Sequence, residues 1–114
     1  MTLEQMLYGL MLASGNDAAV AIAEHIGGSV PQFVRMMNAR AAELGAAGTH
    51  FSNPNGLPDD THVTTAYDLA RIARAAMGNE AFRRIVSTRS AQIPWAGRTF
   101  SRQLRNKNRL LETY

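Results

Sequence analysis

Apolar residues recur at helical spacing through the first three quarters of the chain, and the pattern then becomes extended. The first apolar set follows Thr2 and Gln5, which have the spacing of a capping box. Its members lie three and four residues apart, at Leu3, Met6, Leu7, Leu10 and Met11. This spacing places them on one face and predicts a helix over about residues 3–12.

The second predicted helix, residues 17–26, consists almost entirely of small apolar residues. It follows the turn-forming run Ser14–Asp17 and ends at the pair Gly27-Gly28. Such a helix has little polar face to present to water. We therefore expect it to be the buried central helix.

Cap and stop signals bound a third helix and a long loop. Ser29 precedes a proline in the first helical turn, and Gly45 ends the apolar periodicity. Residues 45–63 are rich in Gly, Asn, Pro and Asp. A loop of this length is usually functional or ordered by a neighbouring element.

The remaining elements are predicted from similar signals. Thr64 or Thr65 caps a fourth helix that runs to Met77, and a short fifth helix follows over residues 80–86. A β-hairpin is predicted next, with its two strands at residues 88–94 and 98–104 and the three-residue loop Trp95-Ala96-Gly97 between them. Two strands alone are marginally stable, so the hairpin requires a helix or a larger sheet to pack against.

The pattern as a whole predicts a mainly α chain with a short hairpin near its C-terminus, at about residues 88–105, within one domain over residues 1–114. The composition is that of a globular protein, with 46% hydrophobic and 18% charged residues in 12.5 kDa. The absence of cysteine excludes disulfides and thiolate zinc sites. We find no signal-peptide pattern and no apolar run near the roughly 20 residues of a membrane span.

Charge is divided unevenly along the chain, although the net charge is only +3. Residues 1–70 carry two basic and seven acidic side chains, whereas residues 71–114 carry ten basic and two acidic ones. The basic part is either a solvated face or a surface for an anionic partner. A nucleic-acid site would need stacking groups among its cations, and the candidates are Trp95, Arg98, Phe100, Arg102, Arg105, Lys107 and Arg109. We expect no nucleic-acid partner, because a charge run alone is weak evidence.

The sequence offers little support for a metal or cofactor site. The three histidines, His25, His50 and His62, lack the spacing and the carboxylates of a known ligand set. His25 is better explained as a favourable charge near a helix C-terminus. We therefore expect no metal and no cofactor.

Ser14 is the one serine that lies at a turn between two apolar helices. Acyl transfer needs a hydroxyl, a base within reach and donors for the oxyanion, and such a turn could hold a hydroxyl still. The alternative is that Ser14 only caps a helix, which is common for serine at a helix terminus.

The run Ser14-Gly15-Asn16-Asp17, with its apolar flanks, resembles the second active-site motif of the bacterial serine D-alanyl-D-alanine carboxypeptidases, the low-molecular-mass penicillin-binding proteins. The resemblance continues in order and spacing along nearly the whole chain. Further similar segments are 33–38, 44–51, 53–57, 62–70 and 104–111.

This resemblance implies the helical lobe of the α/β DD-peptidase and β-lactamase-like fold, in an enzyme of the cell envelope. It implies an acyl-enzyme mechanism that trims peptidoglycan stem peptides ending in D-Ala-D-Ala, with β-lactams as ligands of the complete enzyme. Ser14 would relay a proton between a motif lysine and the leaving amine, and Asn16 would bind the substrate amide. Lys107 would lie near the rim of the site and assist an anionic substrate.

Two motifs of this family are missing from the chain. Lys107 is the only lysine in the chain. The residue three positions before it is Leu104 rather than serine, so no S-x-x-K motif occurs. The residue after it is Asn108 rather than threonine, so no K-T-G motif occurs. We therefore expect an internal segment of the enzyme that is inactive alone, with self-association through apolar surface left uncovered. The alternative is a non-catalytic peptidoglycan-binding module. A class A β-lactamase is disfavoured by Gly15 and by the lack of a matching glutamate in residues 45–63.

Overall fold

The computed structural model describes residues 1–94 and 101–113. Its helices and strands, in chain order, are α1 (Leu3–Ala13), α2 (Asn16–Gly27), α3 (Val30–Glu43), α4 (Ala66–Met77), α5 (Glu80–Val86), β1 (Ser90–Pro94), β2 (Ser101–Arg105) and α6 (Leu110–Thr113). The mainly α class with a C-terminal hairpin is thereby confirmed. The residues form two compact units, Met1–Ala19 with Glu80–Tyr114 and Val20–Asn79. A single partial domain over residues 1–114 remains a prediction.

In the first unit, the hairpin packs against α1, as its marginal size requires. The two strands are antiparallel, with Ser90 opposite Arg105 and Pro94 opposite Ser101. Buried side chains from α1, α5 and both strands form one cluster, namely Leu12, Ile85, Ile93 and Leu104. The predicted loop Trp95-Ala96-Gly97 lies outside the described residues.

Apolar burial, rather than surface charge, holds α1 in this unit. Leu12 is completely buried, and burying one such side chain contributes about 1.5–3 kcal/mol. Arg84 on α5 donates to the carboxylate of Glu4 on α1 at 2.9 Å, but both side chains are more than half exposed. An exposed pair of this kind contributes little to stability, because solvent screens the two charges.

The N-terminus of α1 is set by its local sequence. The backbone N–H of Gln5 donates to the Thr2 hydroxyl at 3.2 Å, and the Gln5 side chain accepts from the Thr2 backbone N–H at 2.8 Å. The predicted capping box is therefore confirmed.

Helix α2, predicted to be the buried central helix, is buried along one stripe only in this chain. Ala19, Ile22 and Ala23 are buried, but the helix also exposes part of its apolar surface, with Ile26 47% exposed. The buried positions are three and four residues apart, so they form one stripe. An apolar composition makes a helix suitable for burial, but only the stripe that contacts a neighbour is covered.

In the second unit, the long loop between α3 and α4 is ordered by side chains that pair with backbone groups. The Asn38 amide group of α3 donates to the Phe51 carbonyl at 3.0 Å and accepts from the Phe51 N–H at 2.7 Å. The Ser52 N–H donates to Nδ1 of His62 at 2.8 Å. His50 and Val63 form an antiparallel bridge between the two ends of the loop. This confirms that the loop is ordered by a neighbour.

Helix α4 buries a carboxylate and exposes apolar residues. Asp68 is only 5% exposed, and its Oδ2 accepts from the Gly48 N–H at 2.7 Å and the Thr49 hydroxyl at 2.9 Å. By contrast, Leu69 is 54% exposed and Met77 47% exposed. Of the two predicted caps, Thr64 and Thr65, it is Thr65 that starts the helix, because its hydroxyl accepts from the Asp68 N–H. In the described part of the chain, no helix is long and apolar enough to cross a membrane.

Candidate active site

The turn between α1 and α2 holds Ser14 in an unusual backbone conformation. Ser14 has φ 54° and ψ 43°, and within the described residues it is the one non-glycine residue with positive φ. The carbonyl of Gly9 accepts from the N–H groups of both Ser14 and Gly15, the latter at 3.2 Å. These bonds fold the chain back over the last turn of α1, as is common at helix C-termini. Ser14 therefore ends α1 as its C-cap.

Glycine is favoured beside Ser14 for a steric reason. A Cβ atom on Gly15 would lie 3.1 Å from the carbonyl oxygen of Gly9 and 3.5 Å from Cβ of Ala18. The close approach of two backbone segments is what allows the Gly15 N–H to reach the Gly9 carbonyl. The middle residue of the S-x-N motif is thus part of the turn's geometry.

Ser14 and Asn16 are both exposed at this turn, and Asn16 is the first residue of α2. A hydroxyl can donate and accept a hydrogen bond, and a neutral amide can bind a peptide group without adding a titrating charge. The hydroxyl stands on a segment whose backbone is fixed by two hydrogen bonds. This arrangement is suited to proton relay and to binding an amide.

The structure brings the backbone of the third predicted residue, Lys107, next to the end of α1. The Lys107 N–H donates to the Leu12 carbonyl at 3.2 Å, two residues before Ser14. The Lys107 side chain is exposed. The sequence placed Lys107 near the site only by resemblance, whereas this hydrogen bond joins the two segments directly.

Two asparagines that flank Lys107 shape this segment and were not predicted as site residues. Asn106 donates through its side-chain amide to the carbonyls of Val86 and Thr88, at 3.0 and 2.9 Å. Its Oδ1 accepts from the Asn108 N–H at 2.9 Å, and Asn108 Oδ1 in turn accepts from the Leu110 N–H at 3.1 Å. The available signal was the Asn-x-Asn spacing, because asparagine side chains often bond to the backbone two residues on.

The described residues offer no cluster of three or more His, Asp or Glu side chains that could hold a metal ion. His25 lies in the last turn of α2, and His50 and His62 make hydrogen bonds within the loop after α3.

Comparison with known proteins identifies the family of the chain. The Peptidase S11 family, described as D-alanyl-D-alanine carboxypeptidase, matches residues 1–114. The chain belongs to this family of D-alanyl-D-alanine carboxypeptidases. It is 46% identical over 88 residues to the D-alanyl-D-alanine carboxypeptidase DacF of Bacillus subtilis, covering 77% of this chain and 23% of that protein. It is 37% identical to a D-alanyl-D-alanine carboxypeptidase of a Streptomyces species, covering 99% of this chain and 42% of that protein.

Solved structures of carboxypeptidase relatives share the fold along the whole chain. A D-alanyl-D-alanine carboxypeptidase from Mycobacterium tuberculosis has a TM-score of 0.91 and 40% identity, covering 100% of this chain and 43% of that one. A mutant of a Streptomyces DD-transpeptidase has a TM-score of 0.92 and 35% identity, covering 100% and 48%. The fold is thus the DD-peptidase fold. This carboxypeptidase-family chain spans less than half the length of these relatives.

The family consists of serine hydrolases of the bacterial cell wall. Its members are D-alanyl-D-alanine carboxypeptidases, and one similar solved structure, from Mycobacterium tuberculosis, is described as a penicillin-binding protein homologue. The predicted family, its fold and its class of enzyme are therefore confirmed.

Proposed function

We propose that this chain supplies the S-x-N part of the active site of a serine-type D-Ala-D-Ala carboxypeptidase in the cell envelope. Its substrate is a peptidoglycan stem peptide, and β-lactams are ligands of the complete enzyme. The observation that carries the proposal is the turn at Ser14, where an exposed hydroxyl stands on a backbone fixed in the left-handed region. If the side chain at this position had no catalytic role, we would expect glycine there, because glycine adopts this conformation without cost.

In the proposed reaction, the nucleophilic serine and its lysine come from an S-x-x-K motif outside this sequence. The serine oxygen attacks the carbonyl between the two D-alanines, and the terminal D-alanine leaves as an amine. The motif lysine takes the proton of the attacking serine, and the Ser14 hydroxyl passes a proton from that lysine to the leaving amine. Water then attacks the acyl-enzyme ester, one of its protons returns to the serine oxygen through the lysine, and the shortened peptide is released. Asn16 holds the peptide amide in place during both steps.

Lys107 has a different proposed role. Its side chain is exposed and cationic, and the stem peptide ends in a carboxylate. We assign it to the rim of the site, where it attracts the anionic substrate. Its loss should weaken substrate capture more than the chemical step.

The chain by itself is proposed to be inactive. Lys107 is its only lysine, so an acyl-enzyme with a lysine-activated serine cannot form from these residues alone. Self-association of the isolated chain is also proposed, because several large apolar side chains are about half exposed. They include Ile26, Leu57, Val63, Leu69 and Met77. Sedimentation velocity over a tenfold range of concentration tests this, and a monodisperse monomer throughout would contradict it.

Covalent labelling by a fluorescent penicillin tests the enzyme proposal. The 114-residue chain is compared with the protein extended by its flanking coding sequence, and with the Ser14→Ala and Asn16→Ala variants of the extended protein. Ser29→Ala is the matched control, since the Ser29 hydroxyl only caps α3 in the second unit. The extended protein and Ser29→Ala should label, whereas Ser14→Ala and Asn16→Ala should label at least about a hundredfold more slowly.

Two outcomes contradict the proposal. If the folded extended protein does not label, the enzyme assignment fails and a non-catalytic peptidoglycan-binding module becomes the better explanation. If Ser14→Ala and Asn16→Ala label as fast as Ser29→Ala, these residues have no part in the chemistry.

A further inference from the structure

The end of α1 needs a hydrogen-bond donor from elsewhere in the chain. The last carbonyls of any α-helix lack partners within the helix, and Leu12 is the second-last residue of α1. The Leu12 side chain is fully buried in the cluster of the first unit. The N–H of Lys107 supplies the donor at 3.2 Å. The position of the Lys107 backbone therefore affects the C-terminal end of α1, which directly precedes Ser14.

Asn106 fixes the backbone that presents this donor. Its backbone N–H donates to the Arg89 carbonyl at 2.7 Å, which continues the hairpin ladder by one residue. Its side-chain amide donates to the Val86 and Thr88 carbonyls, where α5 ends. Asn106 thus links the end of α5, the start of β1 and the segment that contacts α1.

The chemistry of these partners determines which way the Asn106 side chain points. Carbonyl oxygens only accept hydrogen bonds, so the atom facing Val86 and Thr88 has to be the nitrogen. The Asn108 N–H only donates, so the atom facing it has to be the oxygen. An aspartate in this position would keep the second contact but would turn a carboxylate oxygen toward two carbonyl oxygens.

We propose that Asn106 is a positioning residue for the S-x-N turn, acting through the hydrogen bond from the Lys107 N–H to the Leu12 carbonyl. The proposal rests on the function proposed above. Asn106 itself does not touch the substrate. It holds the Lys107 backbone in register with the end of α1, and so keeps the Ser14 hydroxyl where proton relay requires it. A displacement of about 1 Å in such a group can lower the rate up to about a hundredfold.

The test compares two identical substitutions, Asn106→Asp and Asn108→Asp, in the extended protein. Asn108→Asp is the matched control, because the carboxylate still accepts from the Leu110 N–H. Acylation by a fluorescent penicillin is measured over a range of concentrations, which separates the maximal rate from the half-saturating concentration. We expect Asn106→Asp to lower the maximal rate about ten- to hundredfold, and Asn108→Asp to change it less than about threefold.

A loss of stability alone must be distinguished from a positioning effect. Ile85→Val removes one methylene from the same cluster without changing any of these hydrogen bonds. Amide hydrogen exchange at Ser14 and Gly15 is measured in all variants by NMR, well below the melting temperature. We expect faster exchange at these two amides in Asn106→Asp than in Ile85→Val. If Asn106→Asp does not fold, Asn106→Ala replaces it, since alanine removes the donor without adding a charge.

Several outcomes are decisive. If the unsubstituted extended protein labels and Asn106→Asp labels at the same maximal rate, the positioning role is wrong and the proposed function stands. If Ile85→Val loses as much rate and protection as the Asn106 variant, Asn106 is only a stabilising residue. If the unsubstituted protein does not label, the proposed function itself has failed.

Discussion

The backbone of Gly15 lies so close to the carbonyl oxygen of Gly9 that a side chain on residue 15 would crowd that oxygen. A Cβ atom on Gly15 would stand 3.1 Å from that oxygen, whereas a Cβ atom on Gly9 would meet only Cβ of Ala18, at 4.0 Å. The two glycines therefore have unequal roles. One permits the turn that carries Ser14, and the other occupies an ordinary helical position in α1.

Replacing each glycine with alanine should give opposite results. We expect Gly15→Ala to lower the free energy of unfolding by about 1–3 kcal/mol, because a backbone carbonyl cannot move aside as a flexible side chain can. Gly9→Ala should raise it by up to about 1 kcal/mol, since alanine is favoured over glycine inside a helix. Urea denaturation of both variants measures the difference. Equal stability of the two would show that the Gly9–Gly15 approach is not constrained.

Ser14 should impose a cost on stability that its function justifies. A side chain in the left-handed region costs about 1 kcal/mol relative to glycine. We therefore expect Ser14→Gly to be about 1 kcal/mol more stable than Ser14→Ala, although neither can relay a proton. Thermal unfolding and penicillin labelling of the same samples check this. A Ser14→Gly variant no more stable than Ser14→Ala would argue against backbone strain at this position.

Asn38 should be important for the order of the long loop in the second unit. Its side chain makes two hydrogen bonds with the backbone of Phe51, and both are partly buried. Asn38→Ala leaves that N–H and that carbonyl without their partner, so we expect a loss of about 1–3 kcal/mol. Asn55→Ala is the control. Its hydrogen bond to Asn53 is made by the backbone N–H of residue 55, which the substitution keeps. Similar unfolding free energies for the two variants would contradict this.

Asp59 gives the second unit a dependence on pH. The backbone N–H of Thr61, then its hydroxyl, hold the pKa of the Asp59 carboxyl below its usual value, with smaller contributions from His62 and His50. Because the pKa is lower in the folded state, the stabilisation is complete above the pKa of the unfolded chain. It is lost as the pH falls through the folded-state pKa.

An NMR titration of the Asp59 carboxyl tests the origin of this shift. We expect Thr61→Val, which keeps the backbone N–H and removes the hydroxyl, to raise the pKa of Asp59 only part of the way to its usual value. Thr64→Val is the control, because Thr64 makes no hydrogen bond to Asp59 in the structure. If the Thr61 change leaves the titration unaltered, the hydroxyl does not contribute.

Much of the local structure was predictable from the sequence. The caps at Thr2 and Ser29 and the stop at Gly28 act within one turn of the chain, and all three lie where the sequence placed them. Of the two caps predicted for α4, Thr64 and Thr65, the structure uses Thr65. The ordered series of segments along the chain also sufficed to predict the family. These signals are local or cumulative, so they do not depend on which elements meet in space.

Tertiary structure decided which faces are buried and how the candidate turn is held. The apolar composition of α2 did not determine that Ile26 is exposed, and the pattern of α4 did not determine that Asp68 is buried while Leu69 is not. The bond from Lys107 to Leu12 joins residues that are far apart in sequence. Burial and long-range hydrogen bonds depend on which segment becomes a neighbour, and helical or extended periodicity carries no information about that choice.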